Sequence, residues 1–114
     1  VSSGAFQQVH GGSDLDGLIF KMDNKLSTLI WSSYLGGNGD DAAYSVALDR
    51  NDNAYVAGGT NSNNFIKSPK AIDTSFTGVR ADGFITKINI TGSTVLASTY
   101  YGTDAYDQIY FITQ

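Results

Sequence analysis

Glycine-rich and acidic segments hold the residues of this sequence that are best suited to chemistry. Residues 36–41, Gly-Gly-Asn-Gly-Asp-Asp, fit the G-G-x-G-x-D turn of calcium-binding β-rolls, in which backbone carbonyls and a carboxylate supply oxygen ligands. β-roll sites consist of tandem nonapeptide copies, whereas this motif occurs once. We therefore predict a tight connection, with glycine at positive φ and aspartate bonded to backbone amides. Calcium near Asp40 and Asp41 stays open as the alternative.

Residues 49–53, Asp-Arg-Asn-Asp-Asn, resemble the start of an EF-hand loop. The position that needs glycine holds Ala54, and the position that needs a bidentate glutamate holds Thr60. Asn and Asp accept left-handed backbone geometry between two strands. We expect a hairpin turn here, with no metal.

Catalytic chemistry has few candidates. His10 is the only histidine and stands beside two glycines without a patterned serine or carboxylate, which disfavours a catalytic triad. Paired carboxylates for glycoside hydrolysis could still converge in the fold, drawn from Asp14, Asp16, Asp40, Asp41, Asp82 and Asp107. Asp16 and Asp82 recur at equivalent positions before a strand, as structural turn residues do. We expect no enzyme activity, no catalytic residue and no cofactor.

Composition narrows the function classes further. The chain has 114 residues, a net charge of −4 and no cysteine, which disfavours nucleic-acid binding and excludes disulfides and thiolate metal sites. No apolar run approaches the roughly 18 residues that cross a membrane. Aromatic residues make up 12% of the chain, and most stand at strand positions where we expect them to pack sheets together. The aromatic residues are six phenylalanines together with Trp31, Tyr34, Tyr44, Tyr55, Tyr100, Tyr101, Tyr106 and Tyr110.

The sequence repeats itself with a period of 66 residues. Pairing residues 1–48 with residues 67–114 gives 14 identities without a gap. Identity clusters at Asp16-Gly17 with Asp82-Gly83 and at Ser27-Thr28 with Ser93-Thr94. Such self-similarity is the signature of a repeat architecture.

Each period predicts four antiparallel strands. Alternating and β-branched segments predict strands over 44–49, 54–60, 83–89 and 94–101, joined by hairpin turns and by one long loop over 61–81. Four strands per repeat indicate a β-propeller blade. We therefore predict an all-β, incomplete propeller of about 1.7 blades over residues 1–114.

The blade prediction divides the chain into three parts. Residues 1–43 hold the third and fourth strands of one blade with the preceding loop, residues 44–108 form one complete blade, and residues 109–114 begin the next. Repeat units bury their faces only against neighbours, and at least three are normally needed. We therefore expect the chain to be a segment of a larger propeller or to be held against a partner chain.

Several motifs together resemble the SBBP family of bacterial β-propeller repeats. They are Tyr34-Leu-Gly-Gly with the following Gly39-Asp-Asp, Asn53-Ala-Tyr-Val, and Asp82-Gly-Phe-Ile-Thr-Lys-Ile-Asn89, in that order. The resemblance implies a secreted or surface-attached bacterial protein without established catalytic residues. The second copy, 100–107, lacks the double glycine and the adjacent aspartates, so the two connections do not share every role.

These observations favour a non-catalytic extracellular propeller segment that acts as a scaffold and as a protein-interaction or adhesion surface. Its expected partners are further blades of the same protein or a partner chain. The long loops, 61–81 and 1–15, are the expected contact regions. The alternative is a lectin-like propeller that binds surface glycans through aromatic platforms, with or without calcium.

Overall fold

Two antiparallel β-sheets make up the structure, a computed structural model that describes residues 1–113. Six strands contribute, and consecutive strands are neighbours within each sheet. They are β1 (Gly17–Met22) and β2 (Leu29–Leu35) in the first sheet, and β3 (Asp41–Leu48), β4 (Ala54–Thr60), β5 (Asp82–Ile88) and β6 (Val95–Tyr101) in the second. The all-β prediction is confirmed. Within residues 1–113, no helix is long and apolar enough to cross a membrane.

The four-stranded sheet follows the predicted hairpins, with the largest shift of a boundary at the start of β3 and shifts of at most one residue elsewhere. β3 begins at Asp41, three residues before the predicted start, because Asp41 pairs with Thr60 at the end of β4. The register of this pair slips between Ala43 and Ser45, so Tyr44 stands at a β-bulge. The alternation of apolar residues predicts a strand that begins at Tyr44. The bulge interrupts this alternation, so the pattern does not indicate the strand residues before Tyr44.

Backbone hydrogen bonds reproduce the repeat atom for atom. Ser2 N donates to Ser32 O at 3.0 Å, and its counterpart Ser68 N donates to Ser98 O at 2.9 Å. The bond from Tyr34 N to Gln7 O recurs as the bond from Tyr100 N to Asp73 O, each at 3.2 Å. Residues 1–35 are therefore built like residues 67–101.

The long loop 61–81 is part of the fold, which differs from the expected surface loop. Its residues 68–73 lie along the outer edge of β6, where Ser68 and Asp73 bond the strand's backbone. Phe65 is buried in the core, and its amide donates to the Tyr100 hydroxyl at 3.0 Å. A strand edge exposes unpaired amides and carbonyls, so this segment covers groups that would otherwise recruit another chain.

The core lies between the two sheets. The smaller sheet contributes Ile19, Trp31 and Leu35. The larger sheet and its loop contribute Ala54, Val56, Phe65, Phe84, Ile88 and Tyr100. The sheets approach closely at Gly17, where a Cβ would lie 3.4 Å from Ala43 Cβ. The Trp31 indole N–H donates to Ile90 O at 2.9 Å and ties the smaller sheet to the turn after β5.

Residues 109–113 have no strand pairing in the described part of the chain, so their role as the first strand of a following blade stays a prediction, and Gln114 lies outside the described residues. Ile109 N donates to Gly58 O at 3.1 Å, and Ile112 N donates to Ser45 Oγ at 3.2 Å. A strand needs a continuous ladder to a neighbour, whereas this segment makes single bonds across a sheet face. The larger sheet, from Asp41 to Tyr101, starts within the predicted 1–43 region and otherwise lies within 44–108. The three-part division itself stays a prediction.

Candidate functional site

The connection between β2 and β3 contains the glycine-rich acidic motif, and its aspartates bind protein groups. Asp41 Oδ2 accepts hydrogen bonds from Gly37 N and from Ser62 Oγ, both at 2.7 Å. Gly39 N donates to Ser62 Oγ at 2.8 Å, and Asp40 accepts from Ser13 Oγ at 2.7 Å. The predicted aspartate-to-amide bonds are confirmed at Asp41, and Ser62 completes the arrangement.

The glycines of this motif serve close approach, so the predicted positive φ is wrong here. Positive φ among the described glycines occurs at Gly12 and Gly92, outside residues 36–41. A Cβ on Gly36 would lie 2.4 Å from Asp16 Oδ1 and 2.9 Å from Asp41 Oδ2. A Cβ on Gly37 would lie 2.4 Å from Asn64 Oδ1. Glycine is needed because two carboxylates and an amide side chain press against the backbone.

Asp16, which directly precedes β1, and Asp82, which begins β5, are equivalent in structure as well as in sequence. Asp16 Oδ2 accepts from Gly11 N at 2.7 Å, and Asp82 Oδ2 accepts from Thr77 N at 2.8 Å, which is the same contact in each copy. Asp107 accepts from Thr103 N at 2.7 Å, as Asp41 does from Gly37 N. The aspartates therefore hold the equivalent loops of both copies, including the second copy, which lacks the double glycine.

Burial sets the electrostatics of these carboxylates. Asp41 is 2% exposed and Asp82 is fully buried, and burial raises the pKa of both side chains. The charge of nearby Asp16 also raises the pKa of Asp41. Oδ1 of Asp16, of Asp41 and of Asp82 has no hydrogen-bond partner in the described part of the chain. The folded protein thus favours the protonated form of Asp41 and Asp82 relative to free aspartate.

Calcium would require six to eight oxygen ligands around these acids. Among residues 1–113, no three His, Cys, Asp or Glu side chains come together in a group that could hold a metal. Asp40 is exposed, whereas Asp41 is buried and bonded to Gly37 and Ser62. The two adjacent aspartates therefore face different environments.

The segment 49–53 is the predicted hairpin turn. Asp49 Oδ1 accepts from Asn51 N and Asn53 N, both at 2.9 Å, and Asp52 takes the left-handed conformation at φ 60°. Lys87 Nζ lies 3.0 Å from Asp49 Oδ2. Hydrogen bonds from Asn53 and then Lys87 lower the pKa of Asp49. The Asp49 carboxylate thus closes the turn of the β3–β4 hairpin.

His10 is a surface residue of the first loop. Its Nε2 lies 3.9 Å from Asp16 Oδ1, and its ring meets Tyr34 edge-on at 5.5 Å between centroids. The other oxygen of this carboxylate, Asp16 Oδ2, accepts a hydrogen bond from Gly11 N. The remaining acid of the predicted set, Asp14, is exposed on the same loop.

Tyr100 is the central aromatic residue, and its importance is visible only in the structure. Its hydroxyl donates to Ser62 O at 2.8 Å and accepts from Phe65 N at 3.0 Å. Burial raises the pKa of Tyr100 to about 12. The sequence predicts Tyr100 as a packing residue because its repeat partner is Tyr34. No sequence pattern connects Phe65 or Ser62 with Tyr100, so these contacts are visible only in the structure.

The exposed tyrosines Tyr44, Tyr106 and Tyr110 lie near the start of β3 and the end of β4. Tyr44 and its repeat equivalent Tyr110 stack on each other at 5.1 Å between ring centroids. A shallow cavity of about 150 Å³ lies beside Tyr44. It is also lined by Asp40, Asn61, Tyr106 and Gln108. Aromatic faces beside carboxylate and amide groups are chemically suited to a small polar ligand.

Comparison with known families identifies the repeat. No curated protein matches the chain. The model of the SBBP family, described as a beta-propeller repeat, matches residues 30–66. This range runs from β2 through the acidic connection and β3 to β4 and the start of the long loop. Over residues 30–66 the chain is therefore similar to the β-propeller repeat of the SBBP family.

Proposed function

We propose that the chain is a non-catalytic β-propeller segment that serves as a scaffold and as an interaction or adhesion surface in a larger secreted or cell-surface bacterial protein. The observation that carries the proposal is the use of the recurring aspartates as loop supports. Asp41 and Asp82 are buried, and each accepts a hydrogen bond from a backbone amide of its own loop, so both carboxylates have a structural role. A hydrolytic pair of carboxylates must flank a bond of the substrate.

The long loop supports a role in surface attachment through its charge. It carries Lys67, Lys70 and Arg80, three of the seven basic residues in a chain of net charge −4, against one acid, Asp73. All three basic side chains are exposed. Anionic polymers of a cell surface are the partner class that fits such a loop, because the attraction is electrostatic and long-ranged.

Attachment of protein-coated beads to an anionic polysaccharide surface tests this proposal. The triple variant Lys67→Gln, Lys70→Gln, Arg80→Gln should retain the fold and lose most attachment. The matched variant Lys25→Gln, Arg50→Gln removes exposed basic charge from two hairpin turns and should attach like the parent. Attachment should also fall as ionic strength rises, because salt screens exposed charges. Equal attachment by all three proteins would contradict the role of the loop.

Carbohydrate binding is the second candidate, favoured by the cavity beside Tyr44. A glycan array with and without a chelator separates the two functions. A lectin gives signal on specific neutral sugars, and the signal falls in Tyr106→Ala. The scaffold function predicts no neutral-sugar signal, and a chelator-sensitive signal would favour a calcium-assisted lectin.

A further inference from the structure

The cavity beside Tyr44 lies between two equivalent connections of the repeat. Residues 40–42 belong to one connection and residues 106–108 to the other, 66 positions later. The amides of Asp41 and Asp107 donate to loop carbonyls at 2.8 Å, so both connections make the same backbone contact. The repeat therefore specifies the backbone on both sides of the cavity.

The side chains that line the cavity differ between the two connections. The aspartates that support the loops recur in both copies. Asp40, by contrast, corresponds to Tyr106, and Ala42 corresponds to Gln108. All four of these residues line the cavity. Loop geometry alone does not require Asp40 or Tyr106, because each copy closes its loop with the other residue type at that position.

The lining combines negative charge with aromatic rings. Its charged residues are Asp40 and Asp41, and no lysine, arginine or histidine of residues 1–113 is part of it. Tyr44 and Tyr106 contribute the rings, and Tyr44 stacks on Tyr110. Carboxylates attract cations, and the face of an aromatic ring attracts a cation within about 6 Å of its centre. The lining therefore fits a ligand with positive charge.

One carboxylate at the cavity has an oxygen without a hydrogen-bond partner. Asp41 is 2% exposed, and its Oδ2 accepts from Gly37 N and Ser62 Oγ. Its Oδ1 has no hydrogen-bond partner among residues 1–113. Burying a charge is costly unless it is paired. A cation in the cavity that Asp41 lines stabilises this carboxylate through charge attraction.

The size of the cavity and its apolar residues indicate the kind of cation. Its volume is about 150 Å³, and an engineered cavity of about that volume binds benzene. A quaternary ammonium group with its methyl groups is of similar size, whereas a hexose is much larger and would extend out of the cavity. Leu15, Ala42 and Ala81 also line the cavity and can contact the methyl groups. Aromatic rings are the usual means by which proteins recognise quaternary ammonium ligands.

We propose that this cavity binds the quaternary ammonium group of a choline-type ligand. Tyr44 and Tyr106 present their rings to the cation, and Asp40 and Asp41 supply the compensating negative charge. The amide of Gln108, at the same cavity, bonds the oxygen that a choline-type ligand carries beside its ammonium group. The site uses none of the basic side chains of the long loop, so it goes beyond the proposed attachment function and does not depend on it.

Titration of the isotopically labelled whole chain with choline, followed by NMR, tests the proposal. The amide signals of residues 40–44 and 106–108 should shift and saturate. Dimethylbutanol, which has the shape of choline without its charge, should bind at least about 10-fold more weakly. Ethanolamine, which lacks the methyl groups, should also bind more weakly. Absence of shifts at these residues, or equal or tighter binding of dimethylbutanol, ethanolamine or glucose there, would overturn the proposal.

Matched variants separate this cavity from the rest of the surface. Tyr106→Ala and Asp40→Asn should each weaken choline binding, Tyr106→Ala at least about 10-fold. Tyr101→Ala and Asp52→Asn remove an exposed tyrosine and an exposed aspartate outside the cavity and should bind choline like the parent. All four side chains are exposed, so circular dichroism should show an unchanged fold. Equal affinity in all four variants would overturn the proposal.

A vesicle arm identifies the source of the ammonium group. Co-sedimentation of the parent, but not of Tyr106→Ala, with phosphatidylcholine vesicles assigns the group to a lipid head group. Binding of free choline without co-sedimentation assigns it to a soluble molecule. Attachment of Tyr106→Ala beads to the anionic polysaccharide is measured separately and should equal that of the parent, so failure of this site is distinguishable from failure of the proposed function.

Discussion

The smaller sheet and the four-stranded sheet have the same repeat sequence pattern but different surroundings. Tyr34 and Tyr100 occupy the same repeat position and lie in equivalent strands. Their backbone amides donate to the equivalent loop carbonyls of Gln7 and Asp73. Tyr34 is half-buried and meets His10, whereas Tyr100 is fully buried and bonds the long loop. The difference teaches that the repeat specifies local structure, while burial depends on which neighbour covers each face.

The largest test of this comparison removes the two tyrosines. Tyr100→Ala should lower the free energy of unfolding by about 3–5 kcal/mol, because it leaves a cavity among Phe65, Phe76 and Phe84. Tyr34→Ala should cost clearly less, since its ring is partly in water. Urea denaturation of both variants measures the difference. Equal losses would show that the two copies contribute alike to the core.

Tyr100→Phe separates packing from hydrogen bonding at the same site. The ring is retained, but Ser62 O and Phe65 N lose their partner. A buried group left unsatisfied costs about 1–3 kcal/mol. We expect a loss between that of Tyr34→Phe, which should be small, and that of Tyr100→Ala.

The second test reverses a glycine and a leucine at one repeat position. Gly92→Leu places a side chain into the Trp31 ring and at φ 67°, so it should destabilise the fold by about 1–3 kcal/mol or more. Leu26→Gly removes an exposed side chain at positive φ and should leave stability nearly unchanged. Thermal unfolding of both variants checks this. A costly Leu26→Gly would indicate a contact of Leu26 within the single chain.

Local signals predicted much of this fold from the sequence. The 66-residue repeat, the strands β4 and β5 and the Asp-Asn turn at 49–53 are visible in the sequence pattern, and the structure confirms them. The partner of Asp41 was not predictable, because Ser62 is distant in sequence and no local pattern links the two residues. The role of loop 61–81 was also missed, since Phe65 resembles any apolar loop residue until the core is assembled.

The third test concerns pH, through a buried aspartate. Burial raises the pKa of Asp82 above its ordinary 3.8, so the folded state binds this proton more tightly than the unfolded state. The stabilisation is present below pH 3.8 and is lost as pH rises through the higher folded pKa. The stability of the parent relative to Asp82→Asn should therefore fall between pH 4 and neutral pH. For Asp49 the sign is reversed, because Asn53 and Lys87 lower its pKa below the ordinary 3.8: the stability of the parent relative to Asp49→Asn should be constant well above pH 3.8 and fall as pH decreases below 3.8.

The smallest effect on stability is expected at Asp23 and Asn89, because these different residues accept the same turn hydrogen bonds in the two copies. Asp23 Oδ1 accepts from Ser27 N and Thr28 N at 2.8 and 3.1 Å, and Asn89 Oδ1 accepts from Ser93 N and Thr94 N at 2.9 and 3.1 Å. A carboxylate and an amide oxygen thus close the same turn. Asp23→Asn and Asn89→Asp should each leave the urea midpoint within error of the parent, whereas alanine at either position should lower it. A clear loss in Asp23→Asn would mean that charge, rather than acceptor geometry, holds the turn of the smaller sheet.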